Sequence, residues 1–118
     1  MTLNHLNLTV TDVAEAKGCL ETYFGLRSPE GVEPDDSFAV LIDDAGLVLT
    51  LMTVGRATEV VYPPSFHIGF IVENEGRVNE LNEQLKSAGF DVKPPRRFHG
   101  AWTFYFKAPG GFTVEVQS

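Results

Sequence analysis

The sequence has one cysteine, Cys19. No disulfide can therefore form within the chain, and a reducing cytoplasmic setting is expected. Long apolar runs are missing too. None approaches the roughly 20 residues needed to span a bilayer, so no membrane partner is expected. No charged segment followed by an apolar stretch stands near position 1, and no signal peptide is expected. Positive charge is scarce: nine Lys and Arg against 16 Asp and Glu leave a formal net charge of −7. With no basic patch to offset that acidity, nucleic acid is excluded as a partner. What remains is 118 residues, 43% hydrophobic and 21% charged, which suits one domain with a single core.

Two stretches stand out. HLNLTV (residues 5–10) and HIGFIV (67–72) each begin with a histidine and then alternate. The alternation predicts strands over Leu3–Val10 and Phe66–Val72. Leu6, Leu8 and Val10 share one face of the first, with His5, Asn7 and Thr9 on the other; His67, Gly69 and Ile71 form the matching polar side of the second. A helical pattern follows each. Val13, Ala16, Leu20 and Tyr23 form one stripe, and Val78, Leu81, Leu85 and Ala88, each 65 positions later, form the other. Thr11 or Asp12 is placed to cap the first helix and Asn74 the second, and Gly25 and Gly89 are placed to end them.

The same offset lays FAVLIDDAG (38–46) on TFYFKAPGG (103–111) and GLVLTLM (46–52) on GFTVEVQ (111–117). Each reads as strand, turn and strand. The chain thus predicts β-α-β-β-β twice, an α+β protein of eight strands. Module one spans 1–53, a linker spans 54–64, and module two spans 65–118. The weakest strand is expected within 26–36, which holds Pro29, Gly31 and Pro34. Two such sheets can curl around a shared concavity, with the helices outside and the histidine faces inside.

On the last strand Phe112, Val114 and Val116 take one side, which leaves Glu115 on the other with Thr113 and Gln117. His5, His67 and Glu115 then share one type of face on three strands. Two imidazoles and a carboxylate are the ligand set of a facial triad with open positions for substrate. Such donors suit Fe, Mn, Zn, Ni or Co as divalent ions. The repeat puts Thr50 where a fourth ligand would match Glu115, and a threonine is a poor ligand.

The segments LNHLNLTVTD, FHIGFIV and FYFKAPGGFTVEV resemble the vicinal oxygen chelate superfamily, which includes glyoxalase I, bleomycin- and fosfomycin-resistance proteins and extradiol dioxygenases. The resemblance covers essentially the whole chain. It implies a curled eight-stranded mixed sheet, a half-open barrel with the helices outside, and metal positions at His5, His67 and Glu115. It also implies a homodimer in which modules pair within a chain or swap across it. Tyr105 falls on an active-site tyrosine of the dioxygenases, and His99 is the candidate second histidine.

Other residues complete the expected site. Tyr105 is placed to hydrogen-bond a developing oxyanion. Arg96 and Arg97, in PPRRFHGAW, are candidates to meet an anionic substrate. Trp102 and Thr50 are further substrate-binding candidates. Trp102 and Phe104 alternate with Thr103 and Tyr105, so one pair faces the pocket and the other the helix. Cys19 reads as packing. The expected activity is that of a metal-dependent lyase of glyoxalase type or an extradiol-type dioxygenase acting on a small oxygenated substrate. The alternatives are a metal-independent binding protein of the bleomycin-resistance kind and a small dimer without catalysis.

Overall fold

The computed structural model describes residues 1–33, 35–55 and 59–118. Pro34 of the expected weak strand and residues 56–58 of the expected linker lie outside them. The chain divides into two compact units. One comprises residues 1–61 and 109–111, the other 62–108 and 112–118.

In the first unit β1 (His5–Thr9) leads to α1 (Val13–Phe24), β2 (Phe38–Ile42) and β3 (Val48–Met52). The sheet order is β1-β3-β2, with β1 parallel and β2 antiparallel to β3. Asp12 caps α1 by accepting from the Glu15 amide at 2.9 Å. Gly25 closes the helix at φ +69°, a conformation that costs a residue without Cβ little. The apolar stripe of α1 buries Val13, Ala16, Cys19 and Leu20. Leu8, Val10, Leu41, Leu49 and Leu51 supply the sheet's side of that core.

The second unit repeats the plan. β4 (Ile68–Ile71) is followed by α2 (Glu75–Ser87), β5 (Arg96–Phe98), β6 (Ala101–Lys107) and β7 (Thr113–Gln117), in the order β4-β7-β6-β5. Val78, Leu81, Asn82 and Leu85 are buried on α2, against a sheet face that buries Phe104, Phe106, Val114 and Val116. Ala88, expected in the helix stripe, is exposed and stands at the C-cap, with Gly89 following at φ +94°.

The registers of the two units match. Leu6 faces Leu49 and Asn7 faces Thr50 in the first; Ile68 faces Val114 and Gly69 faces Glu115 in the second. The histidine strands are shorter than their patterns predict. Their ladders nonetheless run one step beyond β1 and β4, where Val10 donates to the Met52 carbonyl at 2.8 Å and Val72 to that of Gln117 at 2.9 Å.

The strand count is a correction. Among the described residues seven strands form, three in one sheet and four in the other, rather than eight in one curled sheet. Among the described residues of the first unit β5 has no counterpart. There the segment after α1 makes isolated bridges only, Arg27 with Ile42 and Asp35 with Phe38. Gly31 sits at φ +80°. That turn conformation, together with an imino acid at Pro29 that cannot donate to a ladder, breaks the segment before a strand can extend.

Candidate functional site

β7 alternates as its sequence requires: Val114 and Val116 are buried under α2, and Glu115 points to the other side. Its side chain is 14% exposed. Opposite it in the ladder stands Gly69. A Cβ at that position would lie 3.9 Å from Glu115 Oε2, so the missing side chain leaves the carboxylate open to its neighbour His67. His67 Nε2 stands 3.1 Å from Glu115 Oε2. The other ring nitrogen, Nδ1, is 3.0 Å from the Ser65 carbonyl.

These two contacts constrain the proton. A carbonyl oxygen only accepts, so Nδ1 must carry hydrogen. In a neutral ring Nε2 is then a bare lone pair directed at a carboxylate. The pair is satisfied when a proton, on the ring or on the carboxyl, or a metal ion stands between the two atoms. The donor set fits a metal ion. Ligand bonds of about 2.1 Å meeting at a right angle place neighbouring donors about 3.0 Å apart. A backbone carbonyl behind the other nitrogen is the usual orienting partner of a ligating imidazole.

The rest of Glu115's surroundings come from β6. Tyr105 lies directly across from it, and Thr103 two residues along the same face. The Thr103 hydroxyl is 3.0 Å from Glu115 Oε1 and 2.8 Å from the Val116 carbonyl. Having one proton, it donates to one of them at a time. Burial, a hydrogen bond to Glu115 and that carboxylate's charge hold the Tyr105 hydroxyl above its usual pKa, against an opposing pull from Arg96. Tyr105 therefore stays a neutral donor in the ordinary pH range. Its ring meets that of His67 edge-on at 5.4 Å.

The model of the Glyoxalase/Bleomycin resistance protein/Dioxygenase superfamily matches residues 2–116. The chain belongs to this superfamily. A possible glyoxalase from Bacillus cereus is 48% identical, with a TM-score of 0.89 over 100% of this chain and 99% of that one. A lactoylglutathione lyase from Agrobacterium tumefaciens shares the fold at 17% identity and TM-score 0.76, covering 98% of this chain and 92% of the other. A mutant of the fosfomycin resistance protein FosX from Listeria monocytogenes, complexed with Mn(II) and 1S,2S-dihydroxypropylphosphonic acid, shares it at 22% identity and TM-score 0.77, covering 99% and 91%. No curated protein matches the chain.

Within this superfamily fold, the expected site residues divide by face. Arg96 pairs with Thr103 across β5 and β6 and so shares the Glu115 side. Arg97 and Trp102 pair with each other on the opposite side. There Arg97 bonds Glu75 of α2 and lies over the indole, its guanidinium carbon 5.3 Å from the ring centre. Trp102 Nε1 donates to Asn79 of α2 at 2.8 Å. The structure thus places these two expected substrate contacts against the helix, and Thr103 and Tyr105 are the pair that faces away from it.

His99 occupies the β5–β6 turn at φ +50°, its ring 3.9 Å from that of Phe98. From Ala101, where β6 begins, to Tyr105 is four residues, roughly 13 Å of strand, so His99 and Tyr105 are not brought together. Thr50 is committed locally, donating to Asn7 at 2.6 Å. His5 belongs to the first unit, is exposed, and has Nδ1 2.7 Å from Asn4 Oδ1. Among the described residues no group of three or more His, Cys, Asp or Glu side chains is placed to hold a metal. The same residues contain no helix long and apolar enough to cross a membrane.

Sequence reasoning left the face of Thr103 open and missed Ser65 and the lysines Lys93 and Lys107. The first could have been found from the turn: Pro109, Gly110 and Gly111 lie midway between Tyr105 and Glu115, which fixes their pairing and hence the faces of β6.

Proposed function

We propose that the chain is a divalent-metal-dependent enzyme of glyoxalase or dioxygenase type, acting on a small oxygenated substrate. The observation that carries this reading is the His67–Glu115 pair. His67 Nε2 and Glu115 Oε2 stand 3.1 Å apart with the ring held by Ser65, a spacing that suits two donors to one ion. The relative complexed with Mn(II) supports the choice of a divalent ion. We assign His5 as the third ligand by its equivalence to His67 in the repeat.

A metal held there would grip two adjacent substrate oxygens and polarise them. Glu115 would offset part of such an ion's charge, and it accepts from Tyr105, which fixes that phenol in place. The single Tyr105 proton, bonded to Glu115 in the free protein, would pass to a substrate oxygen instead as negative charge develops there. Ser65 holds the His67 ring in the orientation that presents Nε2. The indole of Trp102 is committed to α2, which leaves a metal-independent binding site without that ring.

Elemental analysis of protein purified without a histidine tag or chelator tests the reading. The expected result is close to one divalent ion per chain. His67→Ala should abolish retention and Glu115→Gln should weaken it by more than about 100-fold, the upper end for loss of a group that merely orients a ligand. Native protein that holds no ion when offered Mn, Fe, Zn, Ni and Co would overturn it.

A further inference from the structure

The chain carries a net charge of −7, yet three of its nine Lys and Arg line one cavity. That cavity, about 570 Å³, lies in the second unit and is also lined by Tyr105 and Thr103. Its volume is in the range of small-molecule sites. We infer that it receives an anionic oxygen group, a carboxylate or phosphate, of the substrate, held by Lys93, Arg96 and Lys107. The inference rests on the proposed function for its statement that the anion belongs to a substrate; the anion site itself does not depend on the metal.

The three cations are positioned by the backbone. Arg96 opposes Thr103, and Lys107 follows Thr103 and Tyr105 on the same face of β6. By strand geometry Thr103 and Lys107 each lie roughly 7 Å from Tyr105. Val92 bridges to buried Phe106, which turns Lys93 to the opposite face, the one that carries Tyr105. The Lys93 carbonyl accepts from buried Asn82 at 2.8 Å, and Pro94 and Pro95 stiffen the backbone between Lys93 and Arg96. The Arg96 guanidinium lies over Phe98, 4.3 Å from the ring centre, so its planar fork is braced before a ligand arrives.

Asp91 also lines the cavity and offsets one of the three charges, which leaves the lining positive. Glu115, beyond Tyr105, does not line the cavity. A cavity of this sign in an acidic molecule attracts anions locally and repels them elsewhere. The substrate class is therefore a small acid whose metal-binding oxygens sit at one end and whose carboxylate or phosphate sits a few bonds away.

The test is an amide-resolved NMR titration of the full chain, chelator-treated and zinc-loaded, with 3-phosphoglycerate as the probe and glycerol as the uncharged control. In both metal states the probe should shift resonances of residues 93–96 and 103–107, and glycerol should shift none of them. Lys107→Gln and Arg96→Gln should each weaken probe binding about tenfold, the usual loss for a charge-assisted contact. Lys86→Gln, the same charge change at the end of α2, should leave it unchanged. Lys107 is exposed, so its variant tests the site even if Arg96→Gln fails to fold. Equal response to glycerol, or equal weakening by Lys86→Gln, overturns the anion site and leaves the metal reading standing. Probe binding by a protein that takes up no metal upholds the anion site and overturns the proposed function instead.

Discussion

Cys19 lies in the buried stripe of α1, 6% exposed. Desolvation, and the charge of Glu15 one turn earlier, push its thiol up to about 11 from an ordinary 9.0. A thiol raised in the folded state keeps its proton where the unfolded chain has already lost it. Its contribution is thus complete below about pH 9 and declines as pH rises towards 11. By linkage the decline approaches 2 to 3 kcal/mol, since a tenfold change in an acid constant is worth about 1.4 kcal/mol. Urea unfolding of native protein should show that loss between pH 9 and 11, and Cys19→Ala, itself less stable throughout, should show less of it. Cys19 as packing was legible from its place beside an apolar stripe. The face of Trp102 was not, because a period of two gives two faces without saying which is buried. Only the pairing of Tyr105 with Glu115 decides it.

At the scale of the element, the repeat was legible because each copy carries the same cues: a histidine before an alternating run, a capping side chain, a helix stripe and a closing glycine. The matched registers of β1–β3 and β4–β7 follow from those cues. The missing counterpart of β5 did not follow, since a weak strand and a loop differ by a few hydrogen bonds that alternation does not encode. The polar faces of the two copies differ as well. Asn7 meets Thr50 with a hydrogen bond where the second unit has Gly69 and the open carboxylate of Glu115. Turn glycines differ in the same local way. Gly25 has φ +69° with open space around a would-be Cβ. Gly110 has φ +104°, and its Cβ would stand 3.0 Å from that of Val10 and 3.2 Å from that of Ala16. Gly25→Ala should therefore cost about 1 kcal/mol, the penalty of the left-handed conformation. Gly110→Ala should cost about 2 to 4 kcal/mol, since overpacking adds to it. Denaturant midpoints of the two variants check the order.

At the scale of the whole molecule, Ile71 is 79% exposed on the same side of β4 as His67, and Leu3 and Val61 are 77% and 80% exposed. Apolar side chains left in water to this degree favour association when they form a patch, and the superfamily resemblance implies a second copy of the chain as the partner. Light scattering should then give twice the chain mass of 13.0 kDa, and Ile71→Lys should shift the population towards a single chain if that residue is covered. A dimer of this kind would also supply the means to locate His5. Chains carrying His5→Ala lack one proposed ligand and chains carrying Glu115→Gln lack another, so neither homodimer should retain metal. If a site draws His5 from one chain and His67 with Glu115 from the other, a mixed dimer contains one complete set and should recover up to one ion. If each site is built within one chain, mixing restores nothing. Elemental analysis of the two variants before and after co-refolding reads the difference directly.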